Sequence, residues 1–332
     1  MVPSQFDVTP EKQASFPRFM YHQITTRPQV VSDVNLRGKT ALVTGPNCRV
    51  GLETSRQLLD LGVSKLILAV RNEEKGMAAA ADLSAGRKDI PPDTIERVRK
   101  TLTWLDIAVL NAGLYPAKRV VNTSTGHDEI IQVNYLSTAV LAVLPLPVAK
   151  AVRKNQPQPT RITLTLSEVA AWASFPVGEN VPILATLSTS GKLADNTTDR
   201  LFVSKLLGQY FLAALAKRVP ASVAVINGAS PGSIHDSQFN RDIDKTTAGQ
   251  IAKMILRRVG NSSAVGARMI TDATVRHGEE THGQFLSFQK VVPMAPIIYS
   301  DEGAKISEQL WNETIDELSF ATVADVMKEI GN

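Results

Sequence analysis

The sequence has one cysteine in 332 residues and no apolar run long enough to span a membrane. A single cysteine excludes a disulfide within the chain, which fits a reducing compartment. The longest apolar stretch, residues 135–152, contains two prolines and is shorter than the roughly 20 residues that cross a bilayer, so we expect a buried helix there. The first residues lack a basic region followed by an apolar run. We therefore expect no secretory signal and a cytoplasmic protein.

A strong charge of one sign is also missing, because the net charge is only +4 with 20% charged residues. The chain has no dense lysine and arginine run interleaved with aromatic residues, so we expect no nucleic-acid partner. An anionic small molecule accounts equally well for the mild positive excess. His277 and His282 are five residues apart, a spacing that matches no common zinc pattern, so we expect no metal site.

Short apolar runs alternate with helical patterns along most of the chain. Continuous apolar runs, rather than alternating ones, predict parallel strands that are covered on both faces. These runs lie at residues 39–43, 65–70, 106–110, 161–166 and 221–226. The alternation predicts an α/β fold with a single-domain, Rossmann-like, doubly wound parallel sheet. We interpret residues 1–35 as an N-terminal arm with one short helix near residues 19–24, and residues 36–332 as the domain. Long helices are predicted at 127–149 and 199–216, and a closing helix at 302–318.

One edge of the predicted sheet has too little chain. Only 34 residues lie between Arg71 and Asp106, whereas a helix, a strand and a second helix with their connections typically take about 43. The one strand candidate, residues 94–98, has a weak pattern. We therefore expect an edge strand that is truncated or missing.

A glycine-bounded turn follows the first predicted strand. That strand ends at Thr44, the turn runs from Gly45 to Gly51, and a helical pattern begins there. This arrangement predicts a dinucleotide phosphate loop, in which main-chain N–H groups at a helix N-terminus face a pyrophosphate. Arg71 ends the second predicted strand.

Several motifs along residues 35–320 resemble, in order and spacing, those of the short-chain dehydrogenase/reductase family. The resemblance is to its retinol-dehydrogenase-like branch, which is abundant in fungal secondary metabolism. The motifs are Thr44-Gly45 with Gly51, Ala69-Val70-Arg71-Asn72, Leu105 to Gly113, Val133-Asn134-Tyr135, Ser167-Glu168, Val203-Ser204-Lys205-Leu206 and Pro231-Gly232.

The resemblance implies an NADP-dependent oxidoreductase that acts on a carbonyl or alcohol of a small molecule. It implies NADP rather than NAD because Arg71 lies where a cation contacts an adenosine 2′-phosphate. It implies that Ser167 hydrogen-bonds the substrate oxygen, that Lys205 holds the nicotinamide ribose and lowers a neighbouring pKa, and that Asn134 orients a proton-relay water. Pro231-Gly232 is expected near the nicotinamide end of the cofactor. The implied cofactor-binding residues are Thr44, Gly45, Arg49, Gly51, Leu52, Arg71, Asn111, Gly113 and Lys205.

Three features depart from the family pattern. The family's acid is a tyrosine four residues before the lysine, and here that residue is Leu201, which can neither donate nor accept a proton. Tyr210 follows Lys205 by five residues and falls well round the helix, so we do not expect it to substitute. Arg49 replaces the middle glycine of the phosphate loop; it either blocks the pyrophosphate or folds over it and pairs with its oxygens. No acidic–apolar pair is visible to pack on the adenine.

These departures leave alternatives open. The first interpretation is an oxidoreductase of secondary-metabolite biosynthesis with a small-molecule substrate. The second is a degenerate family member without hydride transfer, either a non-redox enzyme or a binding or regulatory protein. The third is a defective or mis-predicted gene product with a deletion after Glu96. Assembly into a homo-oligomer is left open.

Overall fold

Eight strands form the central sheet of the computed structural model, which describes residues 6–47, 49–87, 94–97, 102–175, 181–188, 196–236, 250, 254 and 256–331. The strands are β1 Thr40–Thr44, β2 Lys65–Ala69, β3 Ile95–Arg97, β4 Ile107–Leu110, β5 Thr160–Thr165, β6 Ala224–Ala229, β7 Phe285–Ser287 and β8 Lys290–Val292. Their order in the sheet is β3-β2-β1-β4-β5-β6-β7-β8.

The sheet confirms the predicted Rossmann-like, doubly wound α/β fold. Every pair from β3 to β7 is parallel, and only the last pair, β7 with β8, is antiparallel. The hairpin turn between them uses Phe288 and Gln289, both with positive φ, as a tight two-residue turn requires. The strand order reverses beside β1, because β2 continues the sheet on one side and β4 on the other. In such a sheet, ligands bind outside the carboxyl ends of the strands at this reversal.

The edge strand β3 is short but present. Its three described residues pair in parallel with β2, with Leu66 opposite Ile95 and Leu68 opposite Arg97. The alternative of a missing strand is therefore wrong, and the weak candidate at residues 94–98 contains the strand. Residue 98 lies outside the described residues. The low apolar content of this stretch is explained by its place at the open edge of the sheet, where one neighbour is absent.

Helices cover both faces of the sheet. They are α1 Pro10–Gln13, α2 Phe16–Thr25, α3 Arg49–Asp60, α4 Glu73–Ser84, α5 Glu129–Ile131, α6 Ser137–Val143, α7 Leu146–Val152, α8 Ile183–Ser188, α9 Thr197–Ala216, α10 Ser263–Val275, α11 Asp301–Glu317 and α12 Val323–Gly331. The predicted helices at 199–216 and 302–318 correspond to α9 and α11. Most of residues 237–255, which precede α10, lie outside the described residues.

The long helix predicted at 127–149 is present but interrupted. The structure has α5, a π-helical turn at Gln132–Leu136, then α6 and α7. Pro145 separates α6 from α7, because proline lacks the N–H that would continue the ladder. By length and composition, Glu129–Asn155 could cross a membrane, with 44% of the most apolar window buried. Ala139, Ala142 and Leu146 are fully buried in the protein core, as expected for a core helix.

The N-terminal arm is packed against the domain. The predicted short helix near residues 19–24 is part of α2, and α1 was not predicted. Phe19 packs with Met269 and Phe288 in a small buried cluster. The division at residue 35 stays a prediction, but these contacts make α2 part of the folded surface.

Asp106 joins the amino ends of three strands. Its carboxylate is 6% exposed and accepts hydrogen bonds from Lys39 Nζ (2.9 Å), Thr40 N (2.9 Å), Trp104 Nε1 (2.8 Å) and Gln156 Nε2 (3.1 Å). A buried carboxylate is tolerated only when it is paired and hydrogen-bonded in this way.

Asp106→Ala is expected to lower the free energy of unfolding by about 3 kcal/mol, because it leaves a half-buried ammonium and three other donors without their acceptor. Urea unfolding followed by circular dichroism measures this loss. The control is Asp60→Ala, which removes an exposed carboxylate paired with Arg87 and should cost less than about 1 kcal/mol. Equal losses in the two variants would contradict the buried role of Asp106.

Candidate active site

The carboxyl ends of β1 and β4 are tied together at the point where the strand order reverses. The hydroxyl of Thr44 accepts hydrogen bonds from the main-chain N–H groups of Asn111 and Ala112, each at 2.9 Å. The side-chain amide of Asn111 donates back to the carbonyls of Thr44 (3.2 Å) and Gly45 (3.4 Å). The two residues that the sequence placed beside the cofactor therefore hold the phosphate loop and the next strand in one arrangement.

Two glycines give the phosphate loop its shape. Gly45 has φ +62, which a residue with a side chain rarely adopts. A Cβ on Gly51 would lie 2.3 Å from the carbonyl oxygen of Gly45 and 2.5 Å from Nδ2 of Asn111. Gly51 therefore allows α3 to pack directly against the turn, so that the N-terminus of α3 faces the carboxyl end of β1. Leu52 follows it and packs on the apolar cluster beneath β1.

Arg49 is the first residue of α3 and has φ +46. This left-handed conformation suits the glycine that the family pattern has here, and it costs a residue with a side chain roughly 1–3 kcal/mol. The Arg49 side chain is exposed. It does not lie buried inside the turn, and its pairing with phosphate oxygens stays a prediction.

Arg71 and Gly113 lie on either side of the phosphate loop. Arg71 is exposed and follows the carboxyl end of β2, whose last residue, Ala69, is opposite Thr44 in the sheet. Gly113 is exposed and follows the end of β4. Arg71 therefore lies at the same edge of the sheet as the phosphate loop, beside the carboxyl end of β2.

Lys205 and Ser167 both lie near the carboxyl end of β5. Lys205 lies on α9, and its ammonium donates a hydrogen bond to the carbonyl of Thr165 at 2.9 Å. Burial lowers the pKa of Lys205 to about 8, because the protein interior solvates the charged form poorly. Two residues after Thr165, Ser167 caps a one-turn 3₁₀ helix, Glu168–Trp172, by accepting the N–H of Val169 at 3.3 Å.

Asn134 lies in the π-helical turn that precedes α6. Its Oδ1 accepts the N–H of Leu114 at 2.8 Å, and its Nδ2 donates to the carbonyl of Leu114 (3.1 Å) and to Oγ of Ser204 (3.2 Å). Isolated π turns inside helices are frequent at functional sites. Both amide protons are engaged by protein acceptors, so a relay water can contact this side chain only as a donor to Oδ1. Asn134 thus contacts Ser204, the residue that precedes Lys205 on α9.

Leu201 takes the place of the family's acid on α9. It is 9% exposed and lies one helical turn before Lys205. Tyr210 is buried and packs against Phe175, and its hydroxyl has no hydrogen-bond partner among the described residues. Burial also raises the pKa of Tyr210, which disfavours release of its proton. These features agree with the expectation that Tyr210 does not substitute.

Tyr115 was missed by the sequence reasoning. Its hydroxyl lies 2.6 Å from Oγ1 of Thr198. Thr198 is three residues before Leu201 on α9, so the two share one face of that helix. A phenol therefore lies one turn from the position where the family has its tyrosine. The only sequence signal was that Tyr115 follows Asn111-Ala112-Gly113 by two residues.

Glu168 was seen only as the neighbour of Ser167, and the structure buries it. Its carboxylate accepts hydrogen bonds from the hydroxyls of Ser230, at 2.5 Å, and Ser287. Burial raises the pKa of Glu168 above its ordinary value, and the two serine donors oppose that shift. The hydroxyl of Ser230 also accepts the N–H of Gly232 at 3.0 Å. Glu168 thereby connects the ends of β5, β6 and β7 around the turn at Gly232.

Glu168→Gln is expected to change how stability depends on pH. Because the folded protein raises the Glu168 pKa above 4.5, the stabilisation from the neutral carboxyl is present below pH 4.5 and is lost as the pH rises through the folded-state pKa. The free energy of unfolding of the unmodified protein should therefore fall relative to that of the variant above pH 4.5. Urea unfolding from pH 4.5 to 8 measures the difference.

Ser287→Ala provides the matched comparison, since it removes a donor that lowers the Glu168 pKa. In that variant the loss of stability should move to higher pH. A difference between the unmodified protein and Glu168→Gln that stays constant across the range would refute the assignment.

No protein-family model matches the chain. Short-chain dehydrogenase fogG of Aspergillus ruber is 39% identical, and short chain dehydrogenase/reductase mfmJ of Annulohypoxylon moriforme is 34% identical; each match covers 98% of both chains. Among solved structures, an NADPH-bound short chain oxidoreductase from Pseudomonas aeruginosa PAO1, described as containing an atypical catalytic center, is 17% identical with a TM-score of 0.53. That match covers 80% of this chain and 98% of the other. It shows a shared fold.

Proposed function

Because the chain belongs to the short-chain dehydrogenase/reductase family, as its 39% identity to a curated member over nearly the whole chain shows, we propose that it transfers hydride between NADP and a small molecule. The reacting group is a carbonyl or an alcohol. The curated relatives named above are fungal, and the resemblance to the secondary-metabolism branch makes a secondary metabolite the proposed substrate. A cytoplasmic location and a homo-oligomer stay predictions.

The observation that carries this proposal is the grouping of Lys205 and Ser167 at the carboxyl end of β5. The ammonium of Lys205 donates a hydrogen bond to the carbonyl of Thr165, the last residue of β5, and Ser167 follows two residues later in the chain. The strand reversal that organises the phosphate loop lies at the same edge of the sheet. A dinucleotide bound across that edge brings its phosphates to α3 and its nicotinamide to β5.

The residues at the phosphate loop fit a nicotinamide dinucleotide phosphate. The N-terminus of α3 offers main-chain N–H groups to a pyrophosphate, and the exposed cations Arg49 and Arg71 stand beside it. The NADPH in the Pseudomonas structure supports the choice of NADP over NAD. When bound, the cofactor supplies the hydride, and Ser167 donates a hydrogen bond to the substrate oxygen.

Leu201 sets the limit on the proposed reaction. With no phenol at this position, the substrate oxygen must take its proton from a water or another donor, and the usual gain of 10²–10⁴-fold from a positioned acid is lost. Leu201 also favours the alternative, a family member without hydride transfer. A variant that restores the phenol at this position distinguishes the hydride-transfer proposal from that alternative.

Leu201→Tyr is expected to raise kcat/KM for NADPH-dependent carbonyl reduction by about 10²-fold, because the phenol donates its proton to the carbonyl oxygen and the ammonium of Lys205 one turn away stabilises the phenolate that is left. Steady-state kinetics with a panel of aldehydes and ketones measures the change. The control is Phe202→Tyr, which places a phenol on the next residue and a different face of α9. A folded Leu201→Tyr variant that binds NADPH but reduces nothing would favour the alternative.

Arg71→Ala is expected to raise the dissociation constant for NADPH about tenfold and to leave that for NADH unchanged, because only NADPH carries the 2′-phosphate. Calorimetry with both cofactors measures the two constants. Lys154→Ala removes an exposed cation that precedes β5 at the opposite edge of the sheet and should change neither. If Arg71→Ala weakened the binding of NADPH and NADH equally, the assignment of this side chain to the 2′-phosphate would be contradicted.

A further inference from the structure

Helix α2 of the N-terminal arm holds the segment that follows β6. The side chain of Gln23 is 1% exposed. Its Oε1 accepts the N–H of Ser233 at 2.9 Å, and its Nε2 donates to the carbonyls of Ser233 (3.3 Å) and Val259 (3.2 Å). A side-chain amide that pairs with both main-chain groups of one residue acts as a neighbouring strand would, and it fixes the position of that residue.

The same helix also contacts the segment that follows β5. Phe16 and Phe19 meet the ring of Trp172 edge to face, with ring centroids 5.4 and 5.6 Å apart. The indole N–H of Trp172 donates to the carbonyl of Ala14 at 2.7 Å. Trp172 ends the 3₁₀ helix that begins after Ser167. The arm therefore connects the two loops that follow the strands β5 and β6.

The turn at Gly232 is supported from two sides. Gly232 has φ +68, and a Cβ at this position would lie 2.9 Å from Oε1 of Gln23. On the other side, Gly232 donates its N–H to the hydroxyl of Ser230, which Glu168 in turn holds. The conformation of the turn thus depends on one buried amide from the arm and one buried carboxyl from the end of β5.

We propose that Gln23 is a positioning residue of the cofactor site, and that it holds the turn Gly232–Ser233 against the nicotinamide half of the dinucleotide. This inference rests on the proposed function. It makes the N-terminal arm a part of the site, which the sequence had set apart from the domain. The match to the two fungal relatives covers 98% of the chain, which leaves too few unmatched residues to exclude α2.

The test separates the two halves of the cofactor. Gln23→Ala should raise the dissociation constant for NADPH about tenfold, while that for adenosine 2′,5′-bisphosphate, which lacks the nicotinamide, stays unchanged. A general loss of stability would instead weaken the binding of both ligands. Calorimetry of the full-length protein measures both constants, and hydrogen exchange should show faster exchange at the amide of Ser233 in the variant.

Gln23→Glu is the second variant. It keeps the acceptor for the N–H of Ser233 but presents a carboxylate to two carbonyl oxygens. It should therefore weaken the binding of NADPH and leave the binding of adenosine 2′,5′-bisphosphate unchanged. The control is Tyr21→Ala, at a residue of α2 that is 63% exposed, which should bind both ligands as the unmodified protein does. If folded Gln23 variants bind NADPH normally, the inference is overturned. If the unmodified protein binds neither ligand, the proposed function fails first.

Discussion

The hydroxyl of Thr44 is the contact on which the rest of the site depends. It accepts two main-chain N–H groups from the end of β4, and it thereby joins the strands on either side of the point where the strand order reverses. The side-chain amide of Asn111 donates in return to the carbonyls of Thr44 and Gly45. Because this junction sets where the loop before α3 begins, it also sets where a phosphate can meet the helix N-terminus.

The resemblance implies groups around this junction that bind and orient a cofactor, whereas the position of the family's proton donor holds Leu201. Lys205 has a pKa near 8 beside Thr165, and the roles that the resemblance implies for Ser167 and Asn134 stay predictions. Near Leu201, the hydroxyl of Tyr115 contacts Thr198, which lies one turn earlier on α9. The source of the proton is therefore the open chemical question of the proposed site.

The sheet could be predicted from the sequence because continuous apolar runs mark strands that are buried on both faces. The phosphate loop could be predicted because its glycines and the strand before it are adjacent in sequence. The break at Pro145 shows the limit of an apolar pattern that ignores the missing proline N–H. Gln23 could not be found in this way, since its partner Ser233 lies 210 residues further along the chain. Glu168 stood in a visible motif, but its burial comes from Ser230 and Ser287, which only the packed sheet brings to it.

Arg49 and Leu201 are two residues at which the chain departs from the family pattern, and both lie along the expected path of the cofactor. Because Arg49 stands at the start of α3, where the pyrophosphate is expected, cofactor binding is the central claim. Calorimetric titration of the unmodified protein with NADPH tests that claim most directly. A dissociation constant in the micromolar range, tighter than for NADH, is the predicted result. No binding below millimolar concentration would contradict the account.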